Sequence, residues 1–235
     1  MKKTSNMLMA ILVFALTIFV FNGTSILLSY VSVFFGVLLR GESGVSDTYY
    51  YLLGHQNLYS FLIYFTAFVL FALWYYFAVI QPRGLKPFLK VRTEGLSPAC
   101  FGWILLLAFA VQHLTSLVFT LIDMFSPAAV ENYSQMVETS GLTEYSFVWF
   151  LSTLILPPLT EEIIFRGLLL GYLKKTGIPF LAANLIQAVC FGIYHQNLAQ
   201  GIYTALLGFL LGYLAQRYGT LIAPMFLHFL YNLFG

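Results

Sequence analysis

The chain has 235 residues, 60% of them hydrophobic and only 9% charged, against about 25% charged in ordinary soluble domains. That balance excludes a soluble globular enzyme, and a formal net charge of +2 gives a nucleic acid too little to bind. The composition predicts one all-α, polytopic membrane helix bundle. Several apolar runs approach or exceed the roughly 20 residues that cross a hydrocarbon core, and they lack the alternation of barrel strands.

In chain order, hydropathy and helix breakers predict about seven transmembrane helices, near residues 8–38, 58–80, 99–122, 146–173, 179–197, 200–216 and 220–234. The first is long enough to tilt or to break at Asn22-Gly23. The second ends at Gln81-Pro82-Arg83-Gly84, and the third begins after Ser97-Pro98. Between the third and fourth, Asp123, Glu131, Glu138 and Glu144 appear with no basic residue, so an acidic extracytoplasmic loop is expected, with a short surface helix around 128–137. Cys100 and Cys190 both fall in predicted helices without a C-x-x-C pattern and are expected as free core thiols. Tyr49-Tyr50-Tyr51, Trp74-Tyr75-Tyr76, Trp103 and Trp149 sit near helix ends, as interfacial aromatics do.

The basic residues orient this arrangement. Lys2, Lys3, Arg83, Lys86, Lys90, Arg92, Lys174, Lys175 and Arg217 fall on one side and Arg40 alone on the other, which predicts a cytoplasmic amino terminus. The last run, about 15 residues long, is short for a full crossing.

One stretch contradicts its apolar setting. Pro157-Pro158-Leu159-Thr160-Glu161-Glu162-Ile163-Ile164-Phe165-Arg166-Gly167 puts two carboxylates and a guanidinium inside a predicted helix, where each charge costs roughly 2.5–3.5 kcal/mol and marks a functional site by default. Glu162 and Arg166 are four residues apart and can pair, whereas Glu161 points about 100° away and has no local partner. Further on, Phe191 and His195 share a helix face, as do His228 and Asn232. Asn184 and Gln187 extend a polar face suited to packing. His113, beside Gln112, is expected to be a satisfied core histidine.

Glu161-Glu162-x-x-x-Arg166, Phe191-x-x-x-His195 and His228-x-x-x-Asn232 follow one another on successive hydrophobic runs, with Gly167 also fitting. This set resembles the signatures of the CAAX protease and bacteriocin-processing (CPBP, or Abi) family, whose eukaryotic member is the prenyl-protein type II CAAX endopeptidase. The resemblance covers about residues 150–235. It divides a single integrated membrane domain into a family-variable part, residues 1–145, and a catalytic core, residues 146–235.

The resemblance implies an intramembrane glutamate-dependent endopeptidase. Glu161 would be the base that activates water, His195 would help hold or deprotonate that water, and His228 and Asn232 would stabilise the oxyanion. Glu162, Arg166 and Phe191 would support them. The residues agree with activated water: no Ser or Cys in these runs lies in a nucleophile-elbow pattern beside a histidine. No cofactor is required on this reading, but zinc or another divalent metal held by Glu161, His195 and His228 is an open alternative.

The expected substrate is a hydrophobic or lipidated peptide reaching the site from the lipid bilayer. The compact length points to a bacterial cell membrane rather than the endoplasmic reticulum, and in that setting the resemblance implies peptide maturation, peptide-signal processing or bacteriocin self-immunity rather than a prenylated CAAX tail. Two rival readings use the same residues: a catalytically silent immunity or scaffold protein that binds a membrane-protein partner, and a proton-coupled transporter. Straight helices with these edges would put Glu161 about 20 Å, His195 about 24 Å and His228 about 14 Å from the inner face. Convergence therefore requires a kink, a tilt or different helix ends.

Overall fold

The structure is a computed structural model that describes residues 2–93, 96–140 and 145–235. Among the described residues it is helical throughout, with no strand. The helices are α1 (Lys2–Arg40), α2 (Ser43–Gly54), α3 (Gln56–Tyr75), α4 (Leu85–Thr93), α5 (Pro98–Phe125), α6 (Pro127–Thr139), α7 (Phe147–Lys175, 29 residues), α8 (Phe180–Tyr194), α9 (Leu198–Tyr218) and α10 (Ile222–Phe234). Helix α3 is prolonged by a π-helical turn and a 3-10 turn to Arg83.

The seven expected apolar segments are all helical. Five helices are long and apolar enough to cross a membrane: α1, α3 with its extension, α5, α7 and α9. With the two shorter apolar helices they make a polytopic helical bundle and an integral membrane protein. Large apolar side chains such as Phe19, Phe34, Leu117 and Ile193 face outward, as they would toward acyl chains.

One alternative is decided and two expectations are corrected. Helix α1 runs unbroken through Asn22-Gly23 for 39 residues, and Asn22 is accommodated by donating its Nδ2 to the Ile18 carbonyl of the preceding turn at 2.9 Å. Helix α8, expected to cross over 179–197, has only 15 residues. That is about 22 Å of rise, short of a full crossing. It stops where Gln196 adopts a positive φ of 54° and Asn197 caps α9 by accepting from Gln200 N–H at 3.0 Å, so the chain turns back inside the bundle. His113 is exposed on α5, not in the core, with Nδ1 2.8 Å from its own helix's Phe109 carbonyl.

The expected surface helix near 128–137 is α6, while Glu144 of the acidic loop lies outside the described residues. Both cysteines are free, Cys100 buried and Cys190 half-buried.

The bundle is built around α7. Half of its most apolar window is buried, against 11–17% in α1, α3 and α5, and it packs against α1 and α3 from one part of the chain and α8, α9 and α10 from the other. The helix that carries the charges is thus the one withdrawn furthest from lipid, which is where intramembrane ionisable groups are tolerable.

Candidate active site

Helix α7 is not a regular helix, and the sequence says why. Residues 150–155 and 162–169 are π-helical, flanking an α-helical turn over Leu156–Glu161; such widened turns frequently mark functional sites. Leu156 N–H reaches back five residues to the Leu151 carbonyl. Pro157 and Pro158 have no N–H to give. The Thr153 carbonyl, which residue 157 would satisfy in an α-helix and residue 158 in a π-helix, is left without a helical donor in either register. Asn232 of α10 supplies the missing bond, its Nδ2 donating to Thr153 O at 3.0 Å.

Immediately beyond the prolines, Glu161 and Glu162 are 1% and 0% exposed. They go to different partners. Glu162 Oε1 accepts from Arg166 Nη1 at 2.9 Å, and Arg166 Nη2 continues to the Gly208 carbonyl of α9 at 3.0 Å. The guanidinium carbon lies 4.4 Å from the centroid of the Phe191 ring. Both side chains of this pair are fully buried, so the expected pairing is observed, with the hydrogen bonds and the cation–π contact that such a pair needs.

His228 joins the two carboxylates. Its Nδ1 lies 2.9 Å from Glu162 Oε1 and its Nε2 lies 3.7 Å from Glu161 Oε2. Because Glu162 is the carboxylate of an ion pair, Nδ1 carries the hydrogen and donates. Nε2 is then the nitrogen presented to Glu161.

Glu161 itself is held from α3: the Tyr64 hydroxyl donates to Oε1 at 2.7 Å. Oε2 is buried and makes no hydrogen bond to the described residues.

His195 closes α8, so the short helix delivers it to the bundle interior. Its ring meets Phe191 and Tyr194 edge-on, each at 5.0 Å between centroids, and Phe191 meets His228 at 6.0 Å. One phenyl ring thus packs against both imidazoles. His195 Nε2 is buried and unpaired among the described residues. Gln187 and Asn184 serve packing as expected: Gln187 Nε2 donates to Asn184 Oδ1 at 2.8 Å and Gly208 O at 2.9 Å, and Asn184 Nδ2 donates to Phe209 O at 2.9 Å.

The structure thus brings Glu161, Glu162, Arg166, Phe191, His195 and His228 into one connected cluster and ties Asn232 to the helix that bears the glutamates. These groups converge although straight-helix counting puts them at different depths. A catalytic zinc takes three protein ligands, and among the described residues no group of three His, Cys, Asp or Glu side chains is gathered to hold one ion.

Two residues escaped the sequence reading. Tyr64 binds Glu161, and Tyr194 lies within hydrogen-bond distance of Tyr64, 3.3 Å between the two hydroxyl oxygens. The available signal was a tyrosine in the middle of an apolar run, away from the interfacial positions that tyrosine prefers.

Comparison with known proteins finds similarity over the segment that holds this cluster. Residues 143–234 match the family described as "Type II CAAX prenyl endopeptidase Rce1-like". The chain is 38% identical over 81 residues to the Bacillus subtilis (strain 168) protein named "Putative membrane peptidase YdiL", covering 34% of this chain and 32% of that one. It is 28% identical over 126 residues to "CAAX prenyl protease 2" of Arabidopsis thaliana, covering 45% of this chain and 40% of that one. The chain thus spans well under half the length of either relative. No solved structure matches. Residues 143–234, the segment that supplies every charged and imidazole group of the cluster, are thus similar to the Rce1-like type II CAAX prenyl endopeptidases.

Proposed function

We propose that the protein is an intramembrane endopeptidase that hydrolyses hydrophobic or lipidated peptide segments with a water activated by Glu161. The observation that carries this reading is the state of that carboxylate: buried, held at Oε1 by Tyr64, and presenting an unbonded Oε2 toward His228 Nε2. Glu162 leaves its Oε2 unbonded as well, but Glu162 is paired to the Arg166 guanidinium through Oε1, whereas Glu161 faces an imidazole.

In this mechanism Glu161 Oε2 takes a proton from water and the hydroxide oxygen attacks the scissile carbonyl. His195, whose Nε2 is buried and unpaired, helps hold that water. His228, oriented through Nδ1 by the Glu162–Arg166 pair, shares at Nε2 the proton that Glu161 takes from water and so presents a donor to the oxyanion, in the manner of a carboxylate-oriented histidine. The Asn232 amide has two N–H groups: one is used on Thr153 and the second is the further oxyanion donor. When the tetrahedral intermediate collapses, the C–N bond breaks and the leaving amine takes back the proton held by Glu161. No step requires a metal.

The test uses purified protein in lipid with a hydrophobic peptide substrate. Glu161→Gln and His195→Ala are each expected to abolish turnover while the folded protein is recovered in full. A Glu161→Gln variant that keeps its biological function in cells would establish a binding or scaffold role in place of catalysis.

A further inference from the structure

The part of the chain without a family signature contributes directly to the cluster. Tyr64 lies on α3, outside the matched residues, and its hydroxyl donates to Glu161 Oε1 at 2.7 Å. The hydroxyl is itself held, since Tyr194 OH lies 3.3 Å away. Both tyrosine rings are pinned by Phe21 of α1, which meets each edge-on at 5.0 Å between centroids. Three helices thus converge on one carboxylate oxygen.

A carboxylate has two equivalent oxygens and a freely turning terminal torsion. A donor fixed on one oxygen removes that freedom and leaves the other as the acceptor. We infer that Tyr64 is a positioning residue: its hydroxyl anchors Glu161 Oε1 so that Oε2 alone faces His228 and the reacting water, with Tyr194 and Phe21 holding the hydroxyl in place. The inference rests on the peptidase reading for its catalytic consequence, but the bond it names can be observed without any turnover.

The experiment therefore has two readouts on Tyr64→Phe, which removes one oxygen and keeps the ring. The first is infrared spectroscopy of the purified protein, using the carboxyl band identified by its loss in Glu161→Gln. That band is expected to shift in Tyr64→Phe, and Tyr64→Phe should change nothing in this spectral region in the Glu161→Gln background. The second is steady-state cleavage of the hydrophobic peptide: kcat should fall about tenfold to a hundredfold, the worth of one hydrogen bond to a charged group, with KM within about twofold and the unfolding temperature unchanged. Tyr194→Phe, which removes only the outer hydroxyl, should give the smaller effect of the two.

An unshifted band, or a Tyr64→Phe enzyme with unchanged kcat, overturns the assignment. A shifted band in a protein whose wild type cleaves no peptide would sustain the Tyr64–Glu161 bond and remove the peptidase reading alone.

Discussion

Asn232 on α10 and Thr153 on α7, 79 residues apart, are joined by a 3.0 Å hydrogen bond from the asparagine amide to the threonine carbonyl. That carbonyl is the one Pro157 and Pro158 both fail to satisfy. The bond therefore repairs the backbone at the helix defect next to Glu161, and it gives Asn232 a structural task beside any chemical one.

Asn232→Ala should accordingly destabilise the folded protein by about 1–3 kcal/mol, the cost of leaving a part-buried carbonyl unsatisfied, measured by thermal unfolding in detergent. Restoring a backbone donor should compensate. In the Asn232→Ala background, Pro157→Ala returns an N–H that can reach Thr153 O, and part of the lost stability is expected to return. A purely catalytic Asn232 would predict lost turnover with an unchanged unfolding temperature and no effect of the second substitution.

The Glu162–Arg166 pair invites a second measurement. Removing one partner of a fully buried pair costs about 3–5 kcal/mol because the other charge stays behind, whereas removing both often costs little. Arg166→Met should therefore be far more damaging than Arg166→Met combined with Glu162→Gln. Turnover should recover in neither, since His228 loses the ionised acceptor that orients it. Arg166→Lys should also fall short: an ammonium cannot span Glu162 Oε1 and the Gly208 carbonyl as the planar fork does. Equal stability of the single and double variants would contradict this account.

Chelation separates the water mechanism from the metal alternative. His228 already directs Nδ1 to Glu162, and among the described residues no three His, Cys, Asp or Glu side chains are gathered around one point, so three ligands around one ion would require side chains to be repositioned. Purified protein in lipid is expected to hold well below one metal ion per chain and to keep its turnover in the presence of a strong chelator. Stoichiometric metal lost together with activity would show that the side chains rearrange around an ion.

Much of this was legible in the sequence, for identifiable reasons. Carboxylates in an apolar run stand out because burial is costly, so Glu161, Glu162 and Arg166 declared themselves, and helical spacing alone gave the Glu162–Arg166 pair. What periodicity could not give was where helices stop. The early end of α8 depends on a turn at Gln196 and Asn197, and the widened turns of α7 depend on carbonyls whose satisfaction lies on α10, far along the chain. Tyr64 was hidden for a related reason: a hydroxyl costs little in an apolar segment, so nothing local distinguishes a tyrosine that binds a glutamate from one that merely fills space. The close packing of α8 on α9 had a signal, Gly208-x-x-x-Gly212, the small-residue spacing by which membrane helices approach closely.

That spacing leads to a last prediction. A Cβ placed on Gly212 would fall on Asn184 Oδ1 and crowd Gln187 Nε2. These two side chains are braced against the backbone of α9, and Gln187 shares the Gly208 carbonyl with Arg166. Gly212→Ala cannot be absorbed by a flexible tip, so α9 must move away from α8 and the Gly208 carbonyl with it. Overpacking of this kind costs about 1–3 kcal/mol. Because the displaced carbonyl is an Arg166 acceptor, turnover should fall as well, although Gly212 touches no reacting group. Gly102→Ala on α5 is the matched control, since a Cβ there meets nothing within 4 Å, and it should leave both the unfolding temperature and turnover unchanged. If Gly212→Ala behaved like that control, the Asn184–Gln187 brace would not be what holds α8 and α9 in register behind the arginine.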